Sequence, residues 1–372
     1  MEKLILHCRL SPGDVVMLTA AVEALHAQHA GRFLTDVRTP CPALWAHNPF
    51  LTPLSNEDPE VRHVDCHYPL VHRSNELPFH FIHGYVRYLA EQLGVALDPV
   101  AFRGNIHLSD AERRAPSRAG ELAGRARPYW MICAGGKYDF TIKWWHRRRW
   151  QAVVDHFAGR LLFVQTGETG HYHPPLQGVL DLRGATTLRD LIVLVHHAAG
   201  VLCPVTLLMH LAAAVPRPEG SVGLRPCVVV AGGREPVHWE TYPGHQFLHT
   251  IGALPCCAHG GCWKSRTIPL GDGSAQDDPA RLCSRPMASG LPACMDRIEP
   301  VDVIRAIEHY LEAADSFHND HADQKPKKTI QHDYDQIDQS TTLPCLPSPG
   351  ASRKSGFEFT STLPIFGDTL AA

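Results

Sequence analysis

Val201-Leu202-Cys203-Pro204-Val205-Thr206-Leu207-Leu208-Met209-His210-Leu211-Ala212-Ala213-Ala214-Val215 is the stretch whose reading decides the fold. Residues 199–203 are apolar and too few for a helix of their own, so they read as the end of a buried strand. Pro204 cannot donate to a ladder and marks where that strand stops. Thr206 stands where an N-cap is needed, and Leu207 onward are good helix formers. A strand that turns straight into a helix aims unpaired backbone N–H groups and the positive end of a dipole at one point. That point suits an anion, most often a phosphate. Met209 and His210 fall in the first helical turn, facing it. A plain strand–helix unit with His210 as a satisfied core histidine gives the same pattern, because such corners are common in α/β proteins.

The alternation continues on both sides of this corner. Residues 226–231 form one more apolar strand, closed by Gly232-Gly233. Upstream, residues 187–199 read as a helix, 180–184 as a short strand and turn, and 161–165 as a strand ended by Gly167. A helix carries Trp150, Val153, Val154 and Phe157, with Lys143 in the loop before it. Residues 129–133 are a strand, and Ala134-Gly135-Gly136-Lys137 a glycine-containing turn after it. The first half repeats the scheme. Residues 4–8 are a short buried strand, and Val15, Leu18, Val22 and Leu25 keep helical spacing. Gly13 and Asp14 therefore lie in a turn at the carboxyl end of the first strand, where open parallel sheets bind ligands. Asp14 serves equally as a plain helix cap. Residues 32–37 read as a second strand and 78–93 as a helix carrying His80, His83, Tyr85 and Arg87. Ser109-Asp110-Ala111-Glu112 has capping-box spacing. The expected class is α/β, with a doubly wound parallel sheet in each half. Residues 115–128, rich in Arg, Ala and Gly, read as the connection, which puts the domains at 1–125 and 126–313. From about residue 314 the chain turns polar, and 314–372 is expected to be a disordered tail.

Composition narrows the classes. The 372 residues are enough for about two domains, and 44% hydrophobic content supports sizeable cores. A net charge of −3 gives no case for a nucleic-acid binder. The opening Met1-Glu2-Lys3-Leu4-Ile5-Leu6-His7 lacks a long apolar run and soon meets Arg9, so no secretory leader is expected. No window reaches about 18 uninterrupted apolar residues; residues 188–215 come nearest and are broken by Arg189, Asp190, His196 and His197. A cytoplasmic location follows, with peripheral attachment at the inner membrane as its variant. In that compartment the 12 cysteines stay reduced, and a cluster of them points to a metal rather than to disulfides. The cluster is Cys256-Cys257-Ala258-His259-Gly260-Gly261-Cys262-Trp263, then Cys283 and Cys294, within an expected insertion at 255–295.

Four motifs carry a family resemblance. They are Gly13-Asp14-Val15-Val16 before a helix, Lys143-Trp144-Trp145 followed by Arg149-Trp150, Leu182-Arg183-Gly184 with Thr186-Thr187-Leu188, and Met209-His210-Leu211-Ala212-Ala213-Ala214. In this order and spacing the chain resembles the family 9 glycosyltransferases, the ADP-heptose-dependent heptosyltransferases, over roughly residues 3–250. Two departures stand out. His146 occupies the place of a usual proline. Val205-Thr206-Leu207 stands where the family has Asp-[Ser/Thr]-Gly, leaving the Thr206 hydroxyl and the backbone donors to hold a diphosphate. Cys262-Trp263, Cys283, Cys294 and Ile298-Glu299-Pro300 resemble the branch that modifies autotransporter adhesins, which carries a four-cysteine iron site.

The resemblance implies a GT-B fold, two Rossmann-like domains facing across a cleft, the first for the acceptor and the second for the nucleotide sugar. It implies that Asp14 is the general base and that Lys143, Thr206 and either Lys137 or the Gly135 and Gly136 amides meet the departing diphosphate. Met209 and His210 would touch the nucleotide. The metal would be structural iron or zinc on Cys257, Cys262, Cys283 and Cys294, with Cys256 or His259 as the alternative to Cys257. A full shell of four thiolates leaves no open position for catalysis. The partners are an ADP-heptose donor, an acceptor that is a glycan, a protein serine or a small molecule, and further copies of the chain. Two rivals are a sugar-nucleotide binder without turnover and a GT-B transferase for another nucleotide sugar.

Overall fold

The computed structural model describes residues 1–67, 70–116, 118–122 and 128–322. Nine strands are present among them: β1 (Glu2–His7), β2 (Phe33–Arg38), β3 (Val61–Asp65), β4 (Tyr129–Ile132), β5 (Leu162–Gln165), β6 (Leu180–Asp181), β7 (Gly200–Pro204), β8 (Cys227–Gly232) and β9 (His245–His249). The helices are α1 (Pro12–Gln28), α2 (Phe81–Leu93), α3 (Asp110–Arg114), α4 (Arg118–Leu122), α5 (Arg147–His156), α6 (Leu188–His197), α7 (Leu207–Ala214), α8 (Val237–Glu240), α9 (Ala293–Asp296) and α10 (Pro300–Ala322).

Both sheets are parallel throughout. The first is small, in the order β2-β1-β3, with Leu4 opposite Thr35 on one side and Arg62 on the other. The second runs β6-β5-β4-β7-β8-β9. Renumbered from β4, that is 3-2-1-4-5-6, the order of a dinucleotide-type doubly wound sheet. Central strands β7 and β8 are buried at every position, which is why their sequences are unbroken apolar runs rather than alternating ones. Pro204 is still in register, opposite Val230, so the deciding strand runs one residue past its expected end. A terminal proline can occupy a strand because only its donor is missing.

Helix α1 starts earlier than the expected Val15. Ser11 is its N-cap and Pro12 its first residue, where a fixed φ suits the helix and no donor is lost. It is buried from Val15 to Val22, and packs on α2 and on α7. Gly104 lets the chain pass that junction: a Cβ there would lie 2.6 Å from Val16 Cγ1 and 3.1 Å from Ala214 Cβ. One apolar core joins β1, α1 and α2 to α7 and one face of the second sheet. A second core, with Trp130, Trp145, Trp150, Phe157 and Ile307, lies on the opposite face.

Strands β3 and β9 were not expected. Val-Arg-His-Val-Asp and His-Gln-Phe-Leu-His lack an apolar run because both lie at sheet edges and are only partly covered. Helix α10 continues to Ala322, so residues 314–322 correct the expected start of the tail. Ala313 and Ala314 favour helix, and no Gly or Pro intervenes before Pro326. The rest of the expected tail, 323–372, and positions 117 and 123–127 of the expected connection lie outside the described residues. Both sheets belong to one contact-dense unit, Met1–His321.

Candidate active site

The site is built from the carboxyl ends of β1, β4, β7 and β8. On the β1 side, Asp14 is the third residue of α1, and its Oδ2 accepts from the Ser11 N–H at 3.1 Å. That bond orients the carboxylate as the reciprocal half of a capping box. Burial raises the Asp14 pKa to about 6, against the pull of Lys143, the Ser11 amide, Lys137 and Arg234. Lys137, from the β4 turn, donates to Ser11 Oγ at 3.2 Å. Gly13 faces the His210 ring so closely that a Cβ would meet His210 Cδ2 at 2.8 Å.

The structure therefore brings Gly13, Asp14, Lys137, Lys143 and His210 together. His210 is buried in the first turn of α7, and its Nδ1 lies 2.6 Å from the Tyr242 hydroxyl, which is 2.7 Å from Met17 Sδ. Burial pushes its pKa down to about 3, with Lys143 adding to the effect, so the ring is neutral. Thr206 is the N-cap of α7, but its side chain makes no cap bond and lies beside the thiols of Cys133 and Cys203.

One expected donor is engaged elsewhere. The Gly136 N–H is taken by the Tyr172 carbonyl at 2.9 Å, and Tyr172 N–H returns to the Gly136 carbonyl at 3.1 Å. That amide is consumed by a backbone bridge, which correspondence of a Gly-Gly pair to phosphate loops does not reveal. Gly135 is needed for the same bridge, since its φ is +134° and a Cβ would overlap the Tyr172 oxygen at 2.0 Å. Met209 is fully buried in the core. On α2, His80 and His83 cap the helix: His80 Nδ1 accepts from Ile82 N–H and His83 Nδ1 from His80 N–H. Arg87 is tied to Glu91 at the surface.

The residues after β8 were missed. Lys143 Nζ is bound to Glu235 Oε1 at 2.7 Å, and the Arg234 guanidinium pairs with the same oxygen. Burial opposes ionisation of Glu235, but Arg234 and Lys143 outweigh it and hold its pKa below the ordinary value. Glu240, also buried, is pushed up to about 8 by burial and by Glu235, so it carries its proton at neutral pH. The available signal was position. Arg234, Glu235, Glu240 and Tyr242 follow Gly232-Gly233 at the carboxyl end of a parallel strand.

In the cysteine segment, Cys257 Sγ lies 3.4 Å from the Thr250 carbonyl and 3.5 Å from that of Leu254, committed to backbone. Burial raises Cys262 to about 11 and Cys294 to about 12. The charges of Cys256 and Cys283 add to the first, and those of Cys262 and Cys283 to the second. Among the described residues, no three His, Cys, Asp or Glu side chains gather as a metal-binding group. The four expected ligands are thus not held as a shell, and no chemistry is routed through a metal below. No described helix is long and apolar enough to cross a membrane.

Comparison with known proteins agrees with this architecture. The family described as Glycosyltransferase family 9 (heptosyltransferase) matches residues 67–224, which supports a transferase enzyme. No curated protein sequence matches the chain significantly. Among solved structures, a family 9 glycosyl transferase from Veillonella parvula superposes with a TM-score of 0.53 at 15% identity, covering 84% of this chain and 97% of that one. TibC from enterotoxigenic E. coli, described as a bacterial iron-containing dodecameric glycosyltransferase, gives 0.55 at 18% identity, covering 84% and 77%. TibC in complex with ADP-D-beta-D-heptose gives 0.52 at 15%, covering 83% and 76%. At these identities the likeness is one of fold.

Proposed function

With residues 67–224 matching the family 9 glycosyltransferases, we propose that the chain moves a heptose from ADP-heptose to an acceptor hydroxyl in one inverting displacement. The observation that carries this reading is the partly buried carboxylate of Asp14, held by the Ser11 N–H and lying within the fields of Lys143, Lys137 and Arg234. An acceptor hydroxyl is a poor nucleophile, so a base must take its proton as the new bond forms. Asp14, with its pKa near 6, is ionised at neutral pH yet still basic enough to do so. The departing diphosphate gathers charge in the same step, and Lys143 and Lys137 supply the compensating field. The α7 N-terminus at Thr206 adds its dipole. His210 is held neutral and oriented by Tyr242, a shape-defining wall rather than a charge. Among the described residues, the carboxyls nearest Asp14 are committed: Glu240 carries its proton and Glu235 is bound by two cations. The reading therefore assigns no nucleophile for a covalent glycosyl intermediate.

In this reading residues 1–125 meet the acceptor and 126–313 the nucleotide sugar. The cysteine segment has a supporting role.

A panel of nucleotide sugars, read by thermal shift and by release of nucleoside diphosphate with added acceptor, tests the proposal. Stabilisation by ADP-heptose with release of ADP is expected. Stabilisation without release would make the chain a sensor, and preference for another nucleotide would replace the donor.

A further inference from the structure

We propose that Glu235 is the positioning residue that fixes the Lys143 ammonium for a nucleoside diphosphate, and that residues 260–264 act on the site by locking Arg234 beside it. The inference rests on the reading that Lys143 meets the diphosphate.

A lysine ammonium is a point charge on a flexible four-carbon stem, and its stem does not aim it. Here it is aimed by Glu235 Oε1, 2.7 Å away on a side chain that is only 1% exposed. The same oxygen takes the Arg234 guanidinium, so the anchor has two cations and the trio keeps one net positive charge. Arg234 itself has little freedom. Its guanidinium lies 4.9 Å from the Phe140 ring centroid and 5.3 Å from that of Trp263, a cation between two aromatic faces. Its Nε donates to the Lys264 carbonyl at 2.7 Å. Backbone bonds close the arrangement, Cys262 N–H to the Gly233 carbonyl at 3.2 Å and Trp263 N–H to the Arg234 carbonyl at 3.0 Å. Trp263 adopts a left-handed backbone, φ +53°, uncommon for an aromatic residue and maintained here by those contacts. Phe140 also lies 5.6 Å beneath the Lys143 ammonium. The order of dependence runs from Trp263 to Arg234, to Glu235, to Lys143.

A second feature marks Glu235 as more than a filler. Its Oε2 is buried and has no hydrogen-bond partner among the described residues. A purely structural ion pair would be expected to satisfy both oxygens, since each unmet one costs stability. An oxygen left open beside the anchored lysine is compatible with a hydrogen-bond donor arriving with the ligand.

Calorimetric binding of ADP to wild type, Glu235→Gln, Glu235→Asp, Lys143→Ala and the Lys143→Ala/Glu235→Gln double variant tests the proposal. Lys143→Ala and Glu235→Gln are each expected to weaken ADP about tenfold, the size of one lost charge-assisted contact. The double variant is expected to bind no more weakly than Lys143→Ala alone, because Glu235 would act only through the lysine. Glu235→Asp should recover part of the loss, which also covers the case where Glu235→Gln folds poorly. Independent, multiplying losses in the double variant, or wild-type affinity in Glu235→Gln, would overturn the positioning role while leaving the transferase reading intact. Unchanged ADP binding by Lys143→Ala removes the lysine from the diphosphate and takes this inference with it. Failure of wild type to bind any nucleoside diphosphate would instead reject the donor reading itself.

Discussion

Asp14 and Glu240 are carboxyl groups in one site, with opposite ionisation at neutral pH. Asp14 is pushed up to about 6 by burial but pulled back by three cations, so it is mostly ionised above that pH. We predict that kcat/KM falls about tenfold per pH unit below 6, with Asp14 as the group that titrates. Asp14→Asn should lower kcat by roughly 10²–10⁴-fold while leaving ADP binding nearly unchanged. Normal turnover in that variant would remove Asp14 from the chemistry. Glu240 rises from 4.5 to about 8, so the folded state keeps a proton that the unfolded chain releases. Its contribution to stability is therefore full below the unfolded value and is lost as pH climbs toward 8. Glu240→Gln should therefore flatten the fall of Tm between pH 5 and 8 relative to wild type, and parallel curves would rule the group out. Asp14 was readable from its place after the first strand; the state of Glu240 was not, because its pKa is set first by burial in the folded chain and then by the charge of Glu235.

Among the elements, the β4 turn and the cysteine segment differ most from a reading by motif. The Gly136 N–H is spent on a backbone bridge to Tyr172 rather than left open to a phosphate. Gly135→Ala would force a carbon into the Tyr172 oxygen at 2.0 Å in a backbone already at positive φ, and should cost more than about 2–3 kcal/mol. Chemical denaturation measures it; a loss under 1 kcal/mol would mean the turn can rearrange. In the cysteine segment the spacing left the ligand beside Cys262 open between Cys256, Cys257 and His259. Mass-spectrometric metal analysis of purified protein separates them. The variant among Cys256→Ser, Cys257→Ser and His259→Ala that loses the metal identifies that ligand, and metal retained at the same level in all three would remove them from the set.

Across the molecule, residues before and after the expected connection are joined by a buried helix pair and by charge. Arg189 on α6 reaches back to Glu112 at 2.5 and 2.7 Å, and to the His107 and Ala43 carbonyls. The Arg189 guanidinium first, then the Ser109 groups, hold the Glu112 pKa down to about 2. A depressed carboxylate stabilises above its unfolded value and loses that contribution as pH falls from 4.5 toward 2. Arg189→Leu should thus lower Tm by a few degrees at pH 7, consistent with about 1–2 kcal/mol for a partly buried charge-assisted pair. Near pH 2 the same substitution should matter much less. An equal loss at both pH values would assign the effect to packing instead.

The sequence alone determined what depends on neighbours along the chain. Apolar runs with turn residues between them specify the parallel strands of the second sheet from β4 to β8, and Thr206 specifies where α7 begins. The motifs pointed to Asp14, Lys143 and His210, and the structure places these three around one point. Only the tertiary structure decided which groups answer them. Tyr242 reaches His210 because β8 lies beside β7, and Glu235 reaches Lys143 because β7 alone separates β8 from β4, and parallel strands bring their carboxyl ends together whatever their separation in sequence. The edge strands β3 and β9 were hidden for the converse reason: half-covered strands need no apolar run, and register with a neighbour makes them strands.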